Sequence, residues 1–309
     1  MAPYTLPKNA VWFITGCSSG IGYSLAEYLI TKTPSRVVAT ARKPSTLSSL
    51  PDGPNILKLA LDVTSEASIQ AALSATLDKF SRIDVLVNNA GYGTFGDTET
   101  ADLASARNVM DTNFWGAVRL SQLALPVMRD TNKASGTQGG LIMQVTSMGG
   151  RVAVAGNSFY HASKFALEGF TESLAKEMAP DWNIKFLIVE PGGVKTKYAD
   201  TTLTSFTSET RLDVYKDPAL PINQLLNYLE TPGANANWAE PEKLAEVLYA
   251  YVEKGGEMQL RLPLGSDAWT FQKVAYESWL KELENVKEVS CSTSTEEQVK
   301  SVEFLTKGL

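Results

Sequence analysis

Short runs of apolar, β-branched residues alternate with longer amphipathic stretches almost from the start of this 309-residue chain, and that rhythm restricts the fold more than any other feature. "AVWFIT" is followed by "IGYSLAEYLIT", then "RVVATA", "ILKLALDV", the helix-like "SIQAALSATLDKF" and "IDVLVNNAG". A helix from Asn113 to Met128, the strand "GLIMQVTS", the helix holding Tyr160 and the strand "IKFLIVEPGG" continue the series. Continuous apolar strands are buried on both faces, and the helices between them form βαβ crossovers. Right-handed crossovers then give α/β architecture: a doubly wound parallel Rossmann-type sheet of about seven strands, with helices on both faces. Ligands of such sheets bind beyond the carboxyl ends of the strands.

After residue 196 the rhythm breaks. Residues 197–239 are rich in Thr, Ser, Asn and Pro, with short apolar pieces such as "INQLLNYL". An irregular connection of that length is usually functional or disordered, and it reads here as a substrate-binding loop or lid. A helix, "PEKLAEVLYAYVEK", and a strand, "MQLRLPL", follow, and then a long helix whose N-cap is expected at Ser266-Asp267. The stretch from Ser290 is polar. The chain therefore reads as one domain over 1–289 with a loosely held tail at 290–309.

With 44% hydrophobic residues the chain can bury the core of one large domain. Its net charge of −6 and pI near 5.1 offer no attraction to nucleic acid or an anionic membrane. Cys17 and Cys291 are the only cysteines, which suits a reducing compartment and excludes a disulfide framework or a structural zinc site. No metal is expected. No secretory pattern opens the sequence, no apolar run approaches the roughly 18 residues of a membrane span, and "TKGL" is not a peroxisomal ending. A cytoplasmic protein is the expectation.

"TGCSSGIG" lies directly after the first strand and opens the first helix. Gly16 can make the tight turn, Gly20 can admit a pyrophosphate close to the backbone, and Gly22 can permit close helix packing. The Ser18 and Ser19 hydroxyls and the helix N–H groups would then face phosphates. The G-xxx-G-x-G spacing departs from the commoner dinucleotide fingerprint, and a plain glycine turn is the alternative. At the end of the second strand, where an acid would select an unphosphorylated ribose, stands Ala41, followed by Arg42 and Lys43. Arg42 offers a planar fork for a 2′-phosphate, which favours NADP(H) over NAD(H); ordinary solvated charge is the other reading. Asp62, at the third strand's tip, could accept from an adenine amino group or cap the next helix.

Tyr160 and Lys164 stand one helical turn apart on the same face. A phenol is a poor acid or base near neutrality, and a neighbouring ammonium brings it closer to use. His161, the single histidine, is rotated by about 100° and reads as a bystander facing away from the chemistry.

"TGCSSGIG", "NNAG" at 88–91, Asn113 in "NFWG", Ser147 after "LIMQVTS", "YHASK" and "PGGVKT" follow in this order. Together they resemble the short-chain dehydrogenase/reductase family, in the branch with an Asn-Ser-Tyr-Lys tetrad. The resemblance covers residues 9–196, and more loosely the chain to about residue 265. It implies that Tyr160 exchanges a proton with the substrate oxygen. Lys164 would lower the Tyr160 pKa and hold the nicotinamide ribose, Ser147 would stabilise the developing oxyanion, and Asn113 would hold a relay water. It places Gly16, Ser18, Ser19, Gly20, Ile21, Gly22, Arg42, Asp62, Asn89, Val194 and Thr196 around NADP(H), with Asn89 near the adenosine ribose and Val194 and Thr196 over the nicotinamide.

The implied activity is hydride transfer between that cofactor and a ketone, aldehyde or secondary alcohol. Tyr92, Phe95, Trp115, Met148, Phe159, Tyr198, Phe206, Tyr215 and Trp238 would suit a bulky apolar substrate (a lipid, steroid-like compound or secondary metabolite) if they lined one cavity. A non-redox cyclase or isomerase, or a cofactor-sensing binding protein, are the alternatives on this scaffold. The family commonly pairs through the helices carrying Asn113 and Tyr160, and homo-oligomer and monomer both stay open. Cys17 reads as small filler.

Overall fold

The computed structural model describes residues 3–204 and 211–308. Its centre is one parallel sheet of seven strands in the order β3-β2-β1-β4-β5-β6-β7. The strands are β1 (Val11–Ile14), β2 (Arg36–Ala41), β3 (Ile56–Ala60), β4 (Val85–Asn88), β5 (Gly140–Val145), β6 (Ile184–Pro191) and β7 (Arg261–Leu264). The order reverses between β1 and β4, so the connections leaving those two strands diverge and open a crevice at their carboxyl ends. The glycine loop leaves β1 into that crevice, and "NNAG" closes β4 beside it.

β1 shows why its apolar run is unbroken. Trp12 and Ile14 enter one core with Leu25, Leu29, Leu248 and Val252, while Val11 and Phe13 enter the other with Ile69, Leu73, Leu120 and Leu174. The first core is roofed by α1 (Gly20–Lys32), the second by α2 (Glu66–Phe80) and the helices that follow. Each fully buried large side chain contributes roughly 1.5–3 kcal/mol, so both faces are strongly specified.

The helix expected from Asn113 begins earlier, at α3 (Leu103–Met110), where the Asp102 carboxylate accepts from the N–H groups of Ala104 and Ser105 at 3.2 and 2.9 Å. It runs on through a π-turn at Asp111–Trp115, α4 (Gly116–Pro126), a second π-turn at Val127–Thr131 and α5 (Asn132–Ala134). Pro126 supplies no N–H to the preceding turn, and the second π-turn follows directly. α6 (Ser158–Glu177) crosses this helix and carries Tyr160.

The irregular 197–239 segment holds α7 (Tyr198–Thr204) and α8 (Pro221–Glu230). The Arg211 guanidinium grips the buried Asp97 carboxylate at 2.6 and 2.9 Å and donates to Asn223 Oδ1 at 2.7 Å, tying the segment to the loop after β4. Phe206 lies outside the described residues. α9 (Pro241–Lys254) packs on α1, and α10 (Ser266–Asn285) follows β7.

The cap of α10 differs from the expectation. Gly265, at φ +119°, occupies the N-cap position, Ser266 is already helical, and the Asp267 carboxylate accepts from Gly193 N–H at 2.7 Å instead. The turn after β6 and the start of α10 are thereby fastened together. Beyond α10, the exposed stretch forms short helical turns, α11 (Lys287–Cys291) and α12 (Glu296–Ser301). No helix among the described residues is long and apolar enough to cross a membrane.

Candidate active site

The glycine loop turns at Gly16 (φ +72°) and enters α1 at Gly20 (φ +60°), both left-handed conformations that favour glycine. Cys17 N–H donates to Thr40 O at 2.8 Å, which pins the loop to β2. Burial pushes the Cys17 thiol up to about 12, so it packs as a neutral side chain. Ser19 makes no side-chain cap bond, and the first turn of α1 carries no acid. Its N–H groups are thus left for an anion. A cleft of about 320 Å³ opens there between Ser19, Gly20, Lys195, Thr196, Lys197 and Asn235.

Two residues lock this loop, and only one of them was legible. Asn89 donates through Nδ2 to Thr15 O at 2.9 Å and to Gly16 O at 3.2 Å. Thr15, missed in the sequence, accepts at Oγ1 from the N–H groups of Asn89 and Ala90 at 2.8 and 2.9 Å. The signal was the hydroxyl immediately before the first glycine. A carbon placed on Gly22 would strike Asn89 Nδ2 and lie 2.6 Å from Gly16 O. Gly22 therefore admits this clasp, a more specific task than general helix packing.

Arg42 is exposed at the end of β2, close enough for its charge to help hold the Asp62 carboxyl low and to oppose the rise that burial gives the Tyr92 phenol. Asp62 accepts at Oδ1 from the Thr64 N–H and hydroxyl at 3.0 and 2.7 Å, and these two bonds are the main reason its carboxyl sits low. Ser65 caps α2, accepting from Ser68 N–H, so Asp62 does not. The outermost positions of the crevice thus hold a cation and a carboxylate side by side.

At the inner end the four tetrad positions converge. Asn113 sits in the first π-turn, only 1% exposed. It accepts from Tyr92 N–H at 3.0 Å and donates to Tyr92 O and Ser163 Oγ at 2.9 and 3.0 Å. Lys164 Nζ donates to Val145 O at 2.9 Å and lies 5.8 Å from the Tyr160 ring centre. A carbon placed on Gly91 would lie 3.0 Å from Asn113 Oδ1 and 3.4 Å from Lys164 Nζ, so this glycine lets the two approach. Ser147 Oγ accepts from Gly149 N–H at 2.9 Å and lies near enough to the Tyr160 hydroxyl to pull its pKa down.

Burial raises the Tyr160 phenol above its ordinary value of 10.0, against the downward pull of its hydrogen bonds to Ser147 and Tyr198. Burial likewise brings the Lys164 ammonium down to about 8, with Glu168 opposing. The net displacement of Tyr160 is therefore opposite to the one the Tyr-Lys spacing suggests. Removal of the phenol from water is the dominant cause.

Behind Lys164, a further turn along α6, Glu168 accepts from Thr146 Oγ1 at 2.8 Å and from Arg261 Nε at 3.0 Å. Glu190, fully buried on β6, accepts from Gln272 Nε2 at 3.0 Å. Burial first, and the facing Glu168 second, push the Glu190 carboxyl up to about 7. A raised carboxyl takes up a proton on folding, so its contribution is complete below its ordinary 4.5 and is lost as pH rises through about 7. Glu190→Gln is expected to gain on the parent as pH increases. The difference in Tm, measured by thermal denaturation, should widen by about 2–5 °C between roughly pH 5 and 8.

His161 does not face solvent; it is 7% exposed. Its Nδ1 lies 2.7 Å from Gly149 O, and Val154 N–H donates to its Nε2 at 3.1 Å. The aromatics expected to gather do so only in part. The Tyr198 ring lies 5.3 Å from that of Tyr160, and its hydroxyl and that of Thr202 both sit against Gly93. Trp238 covers Gly193 beside the bridge between Val194 and Ala239. Phe95 packs under Gly156 with Ile222, and Tyr215 donates to Glu99 at 2.8 Å. Tyr92, Met148 and Phe159 are half-buried near the tetrad loops, whereas Trp115 points outward, 57% exposed against Phe114. Thr196 sets its methyl over Gly20 and accepts from Tyr198 N–H at 3.2 Å.

The family model described as short chain dehydrogenase matches residues 10–205. The oxidoreductase calM of Penicillium decumbens is 42% identical over 292 residues, covering 93% of this chain and 94% of that protein. Retinol dehydrogenase 8 of Homo sapiens is 40% identical over 228 residues, covering 69% of this chain and 70% of its own. The crystal structure of a short-chain dehydrogenase from Streptomyces avermitilis aligns with a TM-score of 0.76 at 31% identity, covering 94% of this chain and 100% of that one.

Proposed function

Because the chain belongs to the short-chain dehydrogenase family of oxidoreductases, we propose that it is an NADP(H)-dependent reductase of bulky, apolar ketones or aldehydes, working reversibly on the corresponding alcohols. One observation carries this reading: a buried phenol, Tyr160, stands beside the Ser147 turn with the Lys164 ammonium one helical turn away, 5.8 Å from its ring centre.

The residues fit a dinucleotide. The uncapped first turn of α1, with Gly16, Ser18, Ser19, Gly20, Ile21 and Gly22, would hold the pyrophosphate. Arg42 would take the 2′-phosphate, Asp62 the adenine amino group, and Asn89 and Lys164 the two riboses. Val194 and Thr196 would flank the nicotinamide, which supplies or accepts hydride when bound. Within this chain, Ser147 and Tyr160 hydrogen-bond the substrate oxygen. Tyr160 delivers its proton as charge builds there, and the Lys164 ammonium stabilises the phenolate left behind. Asn113 opens the route by which Lys164 is reprotonated. Tyr198 closes the far side, and the retinol named for one relative supports an apolar substrate class.

The same reading has the enzyme acting in the cytoplasm. The exposed Leu103, Trp115 and Phe165 support pairing of two copies through the helices that carry Asn113 and Tyr160.

The decisive assay follows NADPH consumption, with NADH in parallel, across a panel of bulky ketones and aldehydes that includes retinoid aldehydes. Loss of NADPH selectivity is the outcome expected of Arg42→Ala. Its KM for NADPH should rise about 10–100-fold, the worth of a charge-assisted contact, while KM for NADH stays within about twofold. Equal effects on both cofactors would remove Arg42 from the 2′-phosphate.

A further inference from the structure

Nothing in the proposed reduction uses His161, yet its ring is buried between two backbone groups of the segment that carries Ser147. We propose that His161 is a positioning residue: its neutral ring, with the proton on Nδ1, clips Gly149 to Val154 and thereby holds the Ser147 hydroxyl in register with Tyr160. The role in catalysis rests on the reductase reading; the clip itself does not.

The partners dictate the tautomer. A carbonyl oxygen only accepts, so Nδ1, 2.7 Å from Gly149 O, must donate. A backbone N–H only donates, so Nε2, 3.1 Å from Val154 N, must accept. The neutral ring protonated on Nδ1 satisfies both at once. Gly149 then passes the constraint on, because its own N–H donates to Ser147 Oγ at 2.9 Å. With that oxygen accepting from the backbone, the hydroxyl proton is free to point toward Tyr160 and the substrate. The fit leaves no slack: a carbon placed on Gly149 would lie 2.8 Å from Nδ1.

The groups around the ring leave it neutral. Tyr160 on the same helix meets it edge-on at 5.7 Å, and Tyr198 lies beyond Tyr160. Arg151, in the clipped turn, donates to the Tyr276 hydroxyl at 3.0 Å. Glu168, further along α6, is engaged by Thr146 and Arg261. Burial outweighs the two backbone bonds and holds the imidazole below its ordinary 6.5. A second ring proton would set one N–H against another at Val154 and open the clip.

As the single histidine of the chain, the ring needs no assignment in a ¹⁵N NMR spectrum of the intact protein. The expected spectrum shows one tautomer, protonated on Nδ1, that persists to a lower pH than free imidazole. In steady-state assays His161→Phe should lower kcat by about 10–100-fold, the cost of a reacting group misplaced by around an ångström, with KM for NADPH little changed and Tm lowered by a few degrees as Gly149 O and Val154 N–H lose their partner. His161→Asn, whose amide nitrogen can reach Gly149 O, should recover to within about threefold of the parent. Gly149→Ala, whose added carbon presses on Nδ1 and forces the clip open while the histidine is retained, should also lower kcat, which covers the case of a Phe variant that does not fold. A ring that titrates normally with mixed tautomers, or a Phe variant within about twofold of the parent, would overturn the proposal. A wild-type protein that reduces no carbonyl but shows the single tautomer would strike the reductase reading and leave the clip standing.

Discussion

Tyr160→Phe is expected to lower kcat for carbonyl reduction by about 10³-fold or more while changing the Kd for NADPH by less than about threefold. The substitution deletes one oxygen. The ring keeps its place between Tyr198 and His161, and Ser147 keeps the Gly149 N–H. What disappears is the proton donor, and its contribution cannot be supplied by water in a site this closed: Tyr160 is 9% exposed. Stopped-flow measurement of NADPH oxidation with a reducible carbonyl, beside equilibrium binding, separates these effects. The pH profile of the parent provides a second check. Because burial holds the phenol above 10.0, Tyr160 is protonated through the neutral range and suited to act as an acid. Lys164, brought down to about 8, loses its proton above that pH and leaves the emerging phenolate unpaired. Reduction should therefore hold level up to about pH 8 and decline beyond it. A Tyr160→Phe enzyme retaining a tenth of the parent's kcat would assign the proton to another group.

Much of this site is readable in one dimension because it is built from local rules. The period of α6 sets Tyr160 and Lys164 on one face, and the first βα junction dictates where Gly16 and Gly20 must be. Residues whose work depends on tertiary neighbours are less legible. Helix geometry sets His161 off the face shared by Tyr160 and Lys164, but it says nothing of Gly149 and Val154, backbone groups whose position is fixed only when β5 and α6 pack. Glu168 and Glu190 look like ordinary acids in sequence, and only the pairing of β6 with β7 brings Arg261 to Glu168. Asp267 has the composition of an N-cap, yet the close turn at Gly265 delivers it to Gly193. The direction of the Tyr160 shift reverses for the same reason, since burial cannot be read from spacing. The α/β reading survives these reversals because the alternation of seven strands with helices along the whole chain outvotes any single cap or loop.

The second large effect belongs to a residue with no side chain. Gly22→Ala is expected to weaken NADPH binding by about 100-fold or more while leaving the fold intact by circular dichroism. The added carbon enters the one place where the glycine loop, α1 and the end of β4 meet, striking Asn89 Nδ2 and lying 2.6 Å from Gly16 O. Neither neighbour can yield cheaply. Asn89 holds Thr15 O and Gly16 O, and Thr15 in turn holds the N–H groups of Asn89 and Ala90. Relief requires breaking these buried bonds, at about 1 kcal/mol or more each, or swinging the loop away from the first turn of α1. The second course is the cheaper, because α1 stays anchored through Leu25 and Leu29 in the core. It also removes the converging N–H groups on which an anion depends. Gly20→Ala makes the control. Its carbon meets only the Thr196 side chain, at 3.0 Å, and pays the left-handed backbone penalty of about 1–2 kcal/mol. Titration of NADPH fluorescence should then rank parent, Gly20→Ala and Gly22→Ala in falling affinity. The reverse order would place the pyrophosphate against Gly20, as the motif alone suggests, and make the Asn89 clasp secondary.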